Sequence, residues 1–416
     1  MSIALESELD MEKQEFEIRR TDRADDKASD LQQELTRLRK PIAGESELVA
    51  AVNTMVREGD LYEKLPNNRV HCFACAHNCN INDGGRGICQ VRYNVGGTLF
   101  VPRGYVAALQ CDPVEKKPFF HVYPSSDALT FGMLGCDLHC GYCQNWDISQ
   151  ALRDGNAGRP PSLVTPKQLT EIGKRQGARI IASSYNEPLI TSEWAVEIFK
   201  EATAAGFLCA YVSNGNATRE VLEYIKPYVR AYKIDLKSMR DKPYRQLGAP
   251  LEHILNGIRM VHEMGFWLEI VTLVVPGFND SEEELRDAAQ FLASLSPDIP
   301  WHVTAFHQDY KMLDKDNTSI RDLIRACEIG RDAGLRYVYA GNIPGRVGKW
   351  ENTYCPQCGE LLIERFGYML TQYHITGKGT CPKCNTTIPG IWHTNPADVR
   401  LGEADAWWMR RPRAVR

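Results

Sequence analysis

The sequence predicts an α/β protein built on a partial or complete (β/α) barrel of TIM type, with small cysteine-rich metal modules on its N- and C-terminal sides. Three observations carry that reading. Short apolar runs alternate with amphipathic runs from residue 127 to about residue 350. Polar and charged residues recur where the apolar runs end. Eleven of the fourteen cysteines fall into three tight groups, one of them inside the alternating region and one on each side of it.

The alternation comes first. The strand-like runs read ALTFGML, ARIIASSY, LCAYVSN, AYKIDLKS, WLEIVTLVVPG, WHVTAF and RYVYAGN. Between them lie amphipathic stretches such as TPKQLTEIGKRQG, SEWAVEIFKEATAAG and SEEELRDAAQFLASL. Several open on Ser or Thr and close on Gly, as helices capped at both ends do. Strand–helix alternation means βαβ units and a parallel sheet. Six or seven units suit a barrel better than a short doubly wound sheet.

The strand ends come second. Asn186 and Glu187 follow the second run, and Ser213 with Asn214 ends the third. Asp235 and Lys237 end the fourth, and His307 follows the sixth. Barrels place their chemistry at the carboxyl ends of their strands. Any one of these residues could be a turn or a cap; a series of them on one rim reads as a site. The loop GCDLHCGYCQNWD follows the first run, so it opens onto the same rim.

The flanks complete the organisation. Residues 1–66 are dense in charge and read as a flexible arm. Residues 67–126 hold Cys72, Cys75, Cys79 and Cys89 in a segment rich in Gly and Asn, with few apolar residues to build a core. Such a segment needs a metal to fold. A local set of four cysteines reads first as zinc and alternatively as an auxiliary cluster. Lys116 and Lys117, in CDPVEKKPFFHVYP, read first as a solvated surface pair and alternatively as groups facing a substrate phosphate or carboxylate. Residues 127–350 form the core. Residues 351–416 hold Cys355, Cys358, Cys381 and Cys384 in two C-P-x-C knuckles, the pattern of a zinc ribbon or a rubredoxin-like iron site. Cys209 and Cys327 read as buried small hydrophobes.

Bulk properties exclude several classes. A net charge of -4, with 49 basic and 53 acidic residues, gives no nucleic-acid footprint. No apolar run approaches the roughly 18 residues that span a bilayer. The first residues lack the apolar core of a secretory signal. The expectation is a cytoplasmic protein with reduced thiols.

Cys136, Cys140 and Cys143, spaced C-x3-C-x2-C, raise the chemical question. Three thiolates can hold three corners of an iron–sulfur cube and leave its fourth iron free to bind a molecule. With this loop, the motifs DPVEKKPFFH, SYNEP, YVSNGN, YKIDLKS, VVPGFND, FHQDYK, YVYAGN and ENTYCPQCGELLIER make the chain recognisable over residues 67–395. It resembles the radical S-adenosylmethionine superfamily, in the branch that includes the pyruvate formate-lyase activating enzyme. More closely, it resembles the radical enzyme of the AmmeMemoRadiSam system.

The resemblance implies a 4Fe–4S cluster on Cys136, Cys140 and Cys143, with S-adenosylmethionine on the free iron. It implies that Tyr142 lies near the adenine and that Glu187, beside Asn186, accepts a hydrogen bond from the methionine ammonium. Ser213 and Asn214 would approach the ribose or carboxylate, Asp235 and Lys237 would contact the cofactor, and His307 would lie near the ribose. The implied reaction is reductive cleavage to a 5′-deoxyadenosyl radical, which abstracts hydrogen from an unidentified substrate. A flavodoxin or ferredoxin would supply the electron, and Memo-like or AMMECR-like proteins are implied partners. Two alternatives stay open: an activase of a glycyl-radical enzyme, and a non-catalytic metal-binding or electron-transfer scaffold.

Overall fold

The computed structural model describes residues 47–402 and the backbone of 413–414. The charged arm expected over 1–66 lies outside the described residues as far as residue 46. The chain divides into two compact units, residues 1–56 and 57–416. Helix Glu47–Val52 lies in the first, and everything below concerns the second. Residues 57–66 do not belong to an arm. Tyr62–Leu65 pairs antiparallel with Arg69–Cys72, Tyr62 opposite Cys72, so a boundary between 66 and 67 cuts a hairpin. Four residues of strand are too short for periodicity to reveal.

Seven parallel strands form the centre: β1 (Asp127–Gly132), β2 (Ile180–Ser183), β3 (Leu208–Ser213), β4 (Val229–Asp235), β5 (Trp267–Val274), β6 (Trp301–Ala305) and β7 (Val338–Gly341). All seven expected runs are strands. Each lies beside its neighbours in sequence, in the order β7-β6-β5-β4-β3-β2-β1. The register aligns the carboxyl ends, with Ser183 opposite Phe131, Ser213 opposite Ile234, and Asp235 opposite Val271. Strand Ala108–Pro113 pairs antiparallel outside β1. Among the described residues β7 pairs only with β6, so the barrel is partial.

The connections are helices: α1 (Pro166–Arg175), α2 (Ser192–Ala204), α3 (Arg219–Ile225), α4 (Asp241–Leu247), α5 (Leu251–Glu263), α6 (Glu282–Leu295) and α7 (Ile320–Asp332). The caps form where Ser and Thr precede the amphipathic runs. Thr165 accepts from Gln168 N, Ser281 from Glu284 N and Ser319 from Asp322 N. Each satisfies a backbone donor that the helix itself leaves free. No helix among the described residues is long and apolar enough to cross a membrane.

The stretch after Ala108–Pro113 fills the interior. Small side chains on adjacent strands, Ala128, Ala182, Ala210 and Ala231, make room for Val114, Phe119 and Val122, all buried. Above that layer Glu269 of β5, itself fully buried, accepts from Phe120 N (2.9 Å), His121 N (3.0 Å) and His302 Nε2 (2.7 Å). A buried carboxylate persists only with such partners. What reads in sequence as a bridge is therefore a plug.

The C-terminal module is a three-stranded antiparallel sheet, Thr353–Tyr354, Leu361–Phe366 and Met369–Tyr373. Leu362, Ile363, Leu370, Ile375 and Ile388 form a small core with its cysteines. Arg365 ties it to the plug, donating to Phe120 O at 3.0 Å and Thr353 Oγ1 at 2.8 Å.

Candidate active site

The loop after β1 begins with a forced turn. Gly135 has φ +91°, and a Cβ there would lie 2.6 Å from Val91 Cγ1 and 3.0 Å from Cys89 O. Only glycine fits the angle and the space. The chain then delivers Cys136, Cys140 and Cys143 to the wall of a cavity of about 700 Å³ at the carboxyl ends of the strands. The Cys143 thiol lies 3.2 Å from Ser149 Oγ, and Leu138 N donates to Cys136 Sγ at 3.4 Å.

The same wall carries most of the residues expected from sequence: Tyr142, Asn186, Glu187, Ser213, Asn214, Asp235 and Lys237. Tyr142 is buried, edge-on to Phe278 at 5.8 Å, with its hydroxyl unpartnered among the described residues. The Asn186 side chain accepts from Met133 N at 2.9 Å, so it fixes the end of β1 where the cysteine loop departs. His307 is the exception. Its ring is exposed at the rim and reaches the cavity only through Gln144, at 2.9 Å.

Two buried carboxylates lie behind the loop. Glu187 accepts from Ser213 Oγ (2.7 Å), Leu189 N (3.1 Å) and Asn214 N (2.7 Å). Asp137, which sequence reasoning passed over, accepts from Asn214 Nδ2 at 2.6 Å and Asn216 Nδ2 at 2.8 Å. Burial, and after it the Asp137 carboxylate, pushes Glu187 up to about 8. Neither carboxylate has an ion-pair partner among the described residues, although Lys233 lies within electrostatic reach of Glu187, so a cationic ligand would relieve Glu187. Asp235 is the contrast. Burial opposes its charge, yet Lys233 and Lys237 pair with it and hold it below the usual carboxylate range.

A second polar group reaches the cavity wall through Lys117 and Tyr185, against the first reading of the lysine pair as solvated. Lys117 is buried, not solvated, with Nζ 2.5 Å from Asp112 Oδ2 and 3.1 Å from Tyr185 OH. Tyr185 OH donates to Asp112 Oδ2 at 3.0 Å. Burial draws Lys117 down to about 8 against the pull of Asp112. Tyr185 has φ +72°, a strained angle for an aromatic residue. A Cβ on Gly132 would lie 2.7 Å from Ser184 O and 3.0 Å from Tyr185 Cβ, so Gly132 makes this placement possible. Tyr368, between two strands of the C-terminal sheet, lines the same cavity. Asp112 and Lys117 lie five residues apart in sequence, which was the available signal; Tyr185 joins them only through the fold.

The cysteines of the C-terminal module behave differently. All four sulfurs lie within 4.8 Å of one another, with Cys355–Cys384 at 3.5 Å and Cys358–Cys381 at 3.7 Å. Sulfurs about 3.8 Å apart are what four bonds of about 2.3 Å to one tetrahedral ion require. Cys209 and Cys327 are fully buried, as expected.

Fold and site together define a protein with a partial (β/α) barrel that presents three cysteines to a polar cavity. The family profile described as the Radical SAM superfamily matches residues 131–292. The chain is 37% identical over 313 residues to "Uncharacterized protein MJ0808" of Methanocaldococcus jannaschii, covering 75% of this chain and 92% of that one. It is 27% identical over 184 residues to the pyruvate formate-lyase-activating enzyme of Staphylococcus aureus (strain USA300), covering 42% of this chain and 72% of that one. A crystal structure of a domain of the pyruvate-formate lyase-activating enzyme from Bacteroides vulgatus aligns at 27% identity and a TM-score of 0.35, over 39% of this chain and 98% of that one. The chain belongs to the radical S-adenosylmethionine superfamily.

Proposed function

We propose that the protein is a radical S-adenosylmethionine enzyme in which Cys136, Cys140 and Cys143 hold a 4Fe–4S cluster. With S-adenosylmethionine bound, such a cluster would supply a 5′-deoxyadenosyl radical, by reductive cleavage, for hydrogen abstraction from an unidentified substrate. The observation that carries this is the placement of three cysteines and the buried Glu187 carboxylate around one cavity. Those thiols do not converge as the C-terminal four do; among the described residues no three of them share one ion's radius. They suit a cube better than a single ion.

The chain's own residues then have separate tasks. Glu187, fixed by Ser213 and Asn214, accepts the ammonium of the ligand. Tyr142 packs near the adenine, and Lys237, paired with Asp235, meets its carboxylate or ribose. Gln144 and His307 close the rim. Lys117 and Tyr185, both bonded to Asp112, face the substrate on another part of the wall. Cys355, Cys358, Cys381 and Cys384 hold a structural zinc ion. We place the protein in the cytoplasm, with a flavodoxin or ferredoxin as electron donor. Its motifs favour the radical component of the AmmeMemoRadiSam system, with Memo-like or AMMECR-like partners.

A second reading rests on the 27% identity to an activating enzyme: the substrate is a glycyl-radical protein. The experiment that tests the main reading is anaerobic reconstitution, reduction and incubation with S-adenosylmethionine. It yields 5′-deoxyadenosine and methionine from the wild type and none from Cys140→Ala. A reconstituted wild type that binds zinc only and leaves the compound intact returns the protein to the scaffold class.

A further inference from the structure

We propose that Cys72, Cys75, Cys79 and Cys89 bind a second iron–sulfur cluster, and not a single zinc ion, at a site seated against the loop that carries Cys136.

The fold gathers the four ligands. Cys72 ends strand Arg69–Cys72 and Cys79 opens strand Cys79–Ile81, where the two are antiparallel partners. Cys75 lies in the turn between them. The Gly-rich return then brings Cys89 back among buried neighbours, beside Cys75, Val91 and Ile190. Cys72, Cys75 and Cys89 are buried and Cys79 is partly so. Each of Cys75, Cys79 and Cys89 lies within electrostatic reach of Cys72.

The spacing of the sulfurs separates the two chemistries. The chain carries its own standard for a one-ion site in the C-terminal module, whose four sulfurs all fall within 4.8 Å of one another. Among the described residues no other three His, Cys, Asp or Glu side chains converge in that way, and the N-terminal cysteines are all described. Four thiols gathered in one place, of which no three meet the 4.8 Å limit that the C-terminal four meet, fit a cluster in which each sulfur meets a different iron better than one tetrahedral ion. Cys136, Cys140 and Cys143 do not meet that limit either.

A positive charge completes the environment. Arg92 is buried, and its charge acts on Cys72 and Cys89. Its terminal nitrogens are taken by Glu193, at 2.7 Å each, and by Ile190 O. Its Nε–H is buried and has no partner among the described residues. Thiolates and inorganic sulfide together carry net negative charge and accept such N–H groups.

The seating is close. Ala76 N donates to Asn216 O at 2.9 Å, and Asn216 in turn holds Asp137. His77 Nε2 lies 3.2 Å from Asp137 O. Arg153 bridges the two cysteine segments, donating to Ile88 O at 2.5 Å and Leu138 O at 2.9 Å.

The test uses the full chain with Cys136, Cys140 and Cys143 all changed to Ala, reconstituted anaerobically with iron and sulfide. Removing that loop's ligands makes the outcome independent of the radical reading. The expected result is about four iron and about four acid-labile sulfide ions per chain, with an electron paramagnetic resonance signal on reduction. Further Cys75→Ser and Cys89→Ser changes should abolish both. Labile sulfide excludes a rubredoxin-like iron in the C-terminal module. One or two zinc ions with no labile sulfide, in triple-variant protein that circular dichroism shows to be folded, would overturn the proposal. Sulfide that survives Cys75→Ser and Cys89→Ser would overturn it equally.

Discussion

The C-terminal cysteines and the loop cysteines are the same side chain put to opposite uses. Cys355, Cys358, Cys381 and Cys384 point at one another from within a small apolar core. Four thiols complete the coordination of one tetrahedral ion, so an ion bound there has no position left for a ligand and serves the fold. Cys136, Cys140 and Cys143 stand on the wall of a cavity of about 700 Å³, among carboxylates and lysines. Their centre is open to a ligand. Convergence, rather than cysteine content, separates a site that holds a module together from one that can react.

The sharpest way to break that comparison is to remove one cysteine from each region. Cys140→Ala should lower 5′-deoxyadenosine formation by about 1,000-fold or more, since the implied cluster supplies the chemistry. It should move Tm by no more than about 2 °C, because no closed ion is lost. Cys358→Ala should do the reverse. Loss of a closed structural ion removes several kcal/mol, so Tm should fall by about 10 °C while the protein that folds still cleaves S-adenosylmethionine. Chromatography of the products and a thermal melt of each variant check both. A well-folded Cys358→Ala protein with no cleavage would erase the distinction.

A smaller effect is expected at Glu187, where the open site asks for a cation. Glu187→Gln should weaken S-adenosylmethionine binding about 10- to 100-fold, as removal of one partner from a buried charge pair does. The ligand-free protein offers a second readout. Glu187 has an ordinary value near 4.5 and stands at about 8 when folded. The folded state therefore holds the proton more tightly, and stability falls as pH rises between those values. Glu187→Gln should remove that slope. Melting curves at pH 5 and pH 8 of both proteins measure it, and parallel curves would place the cation elsewhere.

The interior plug gives a comparison of its own, since His121 is buried where the rim residue His307 is exposed. Burial draws His121 down to about 4 from 6.5. The unfolded chain binds the proton first, so stability is lost as pH falls from 6.5 toward 4, by about 3 kcal/mol at most. His121 also bonds Pro389 O and Tyr339 OH, both at 2.7 Å, which is why charging it would be felt. His121→Gln should flatten the acid limb of Tm against pH relative to the wild type.

Much of this was legible in the sequence, and the pattern of what was not is physical. The seven strands read directly because apolar runs of four to eight residues between capped helices leave a periodic trace. The cysteine loop and the strand-end residues read because barrels place chemistry on one rim. Three things did not read. Lys117 read first as solvated because a lysine pair usually is, and only the buried Asp112 carboxylate beside it reverses that. Asp137 sits between Cys136 and Cys140 and was overshadowed by them, although its two asparagine partners lie 77 and 79 residues away. The plug looked like a linker because its apolar residues meet their partners in five different strands. Apart from the Asp112–Lys117 pair, five residues apart, these are contacts distant in sequence and invisible to a local window.

The smallest expected effect lies in that hidden group. Tyr185→Phe keeps the ring over Lys117, 4.6 Å from its centroid, and removes only the hydroxyl. Asp112 then loses one donor, at 3.0 Å, and keeps Lys117 and Lys116. One hydrogen bond to a charged group is worth about 1.5–3 kcal/mol, and relief of the strained Tyr185 backbone does not follow, since the angle is unchanged. The variant should therefore fold, with Tm lowered by a few degrees. Cleavage of S-adenosylmethionine without substrate should stay within about twofold of the wild type, because Tyr185 is not a partner of Glu187 or of the cysteines. What should change is coupling: more 5′-deoxyadenosine formed per substrate consumed once a substrate is in hand, if this wall orients it. A loss of cleavage as large as that in Cys140→Ala would instead put Tyr185 with the cysteine loop, and the division of the cavity into two ends would go.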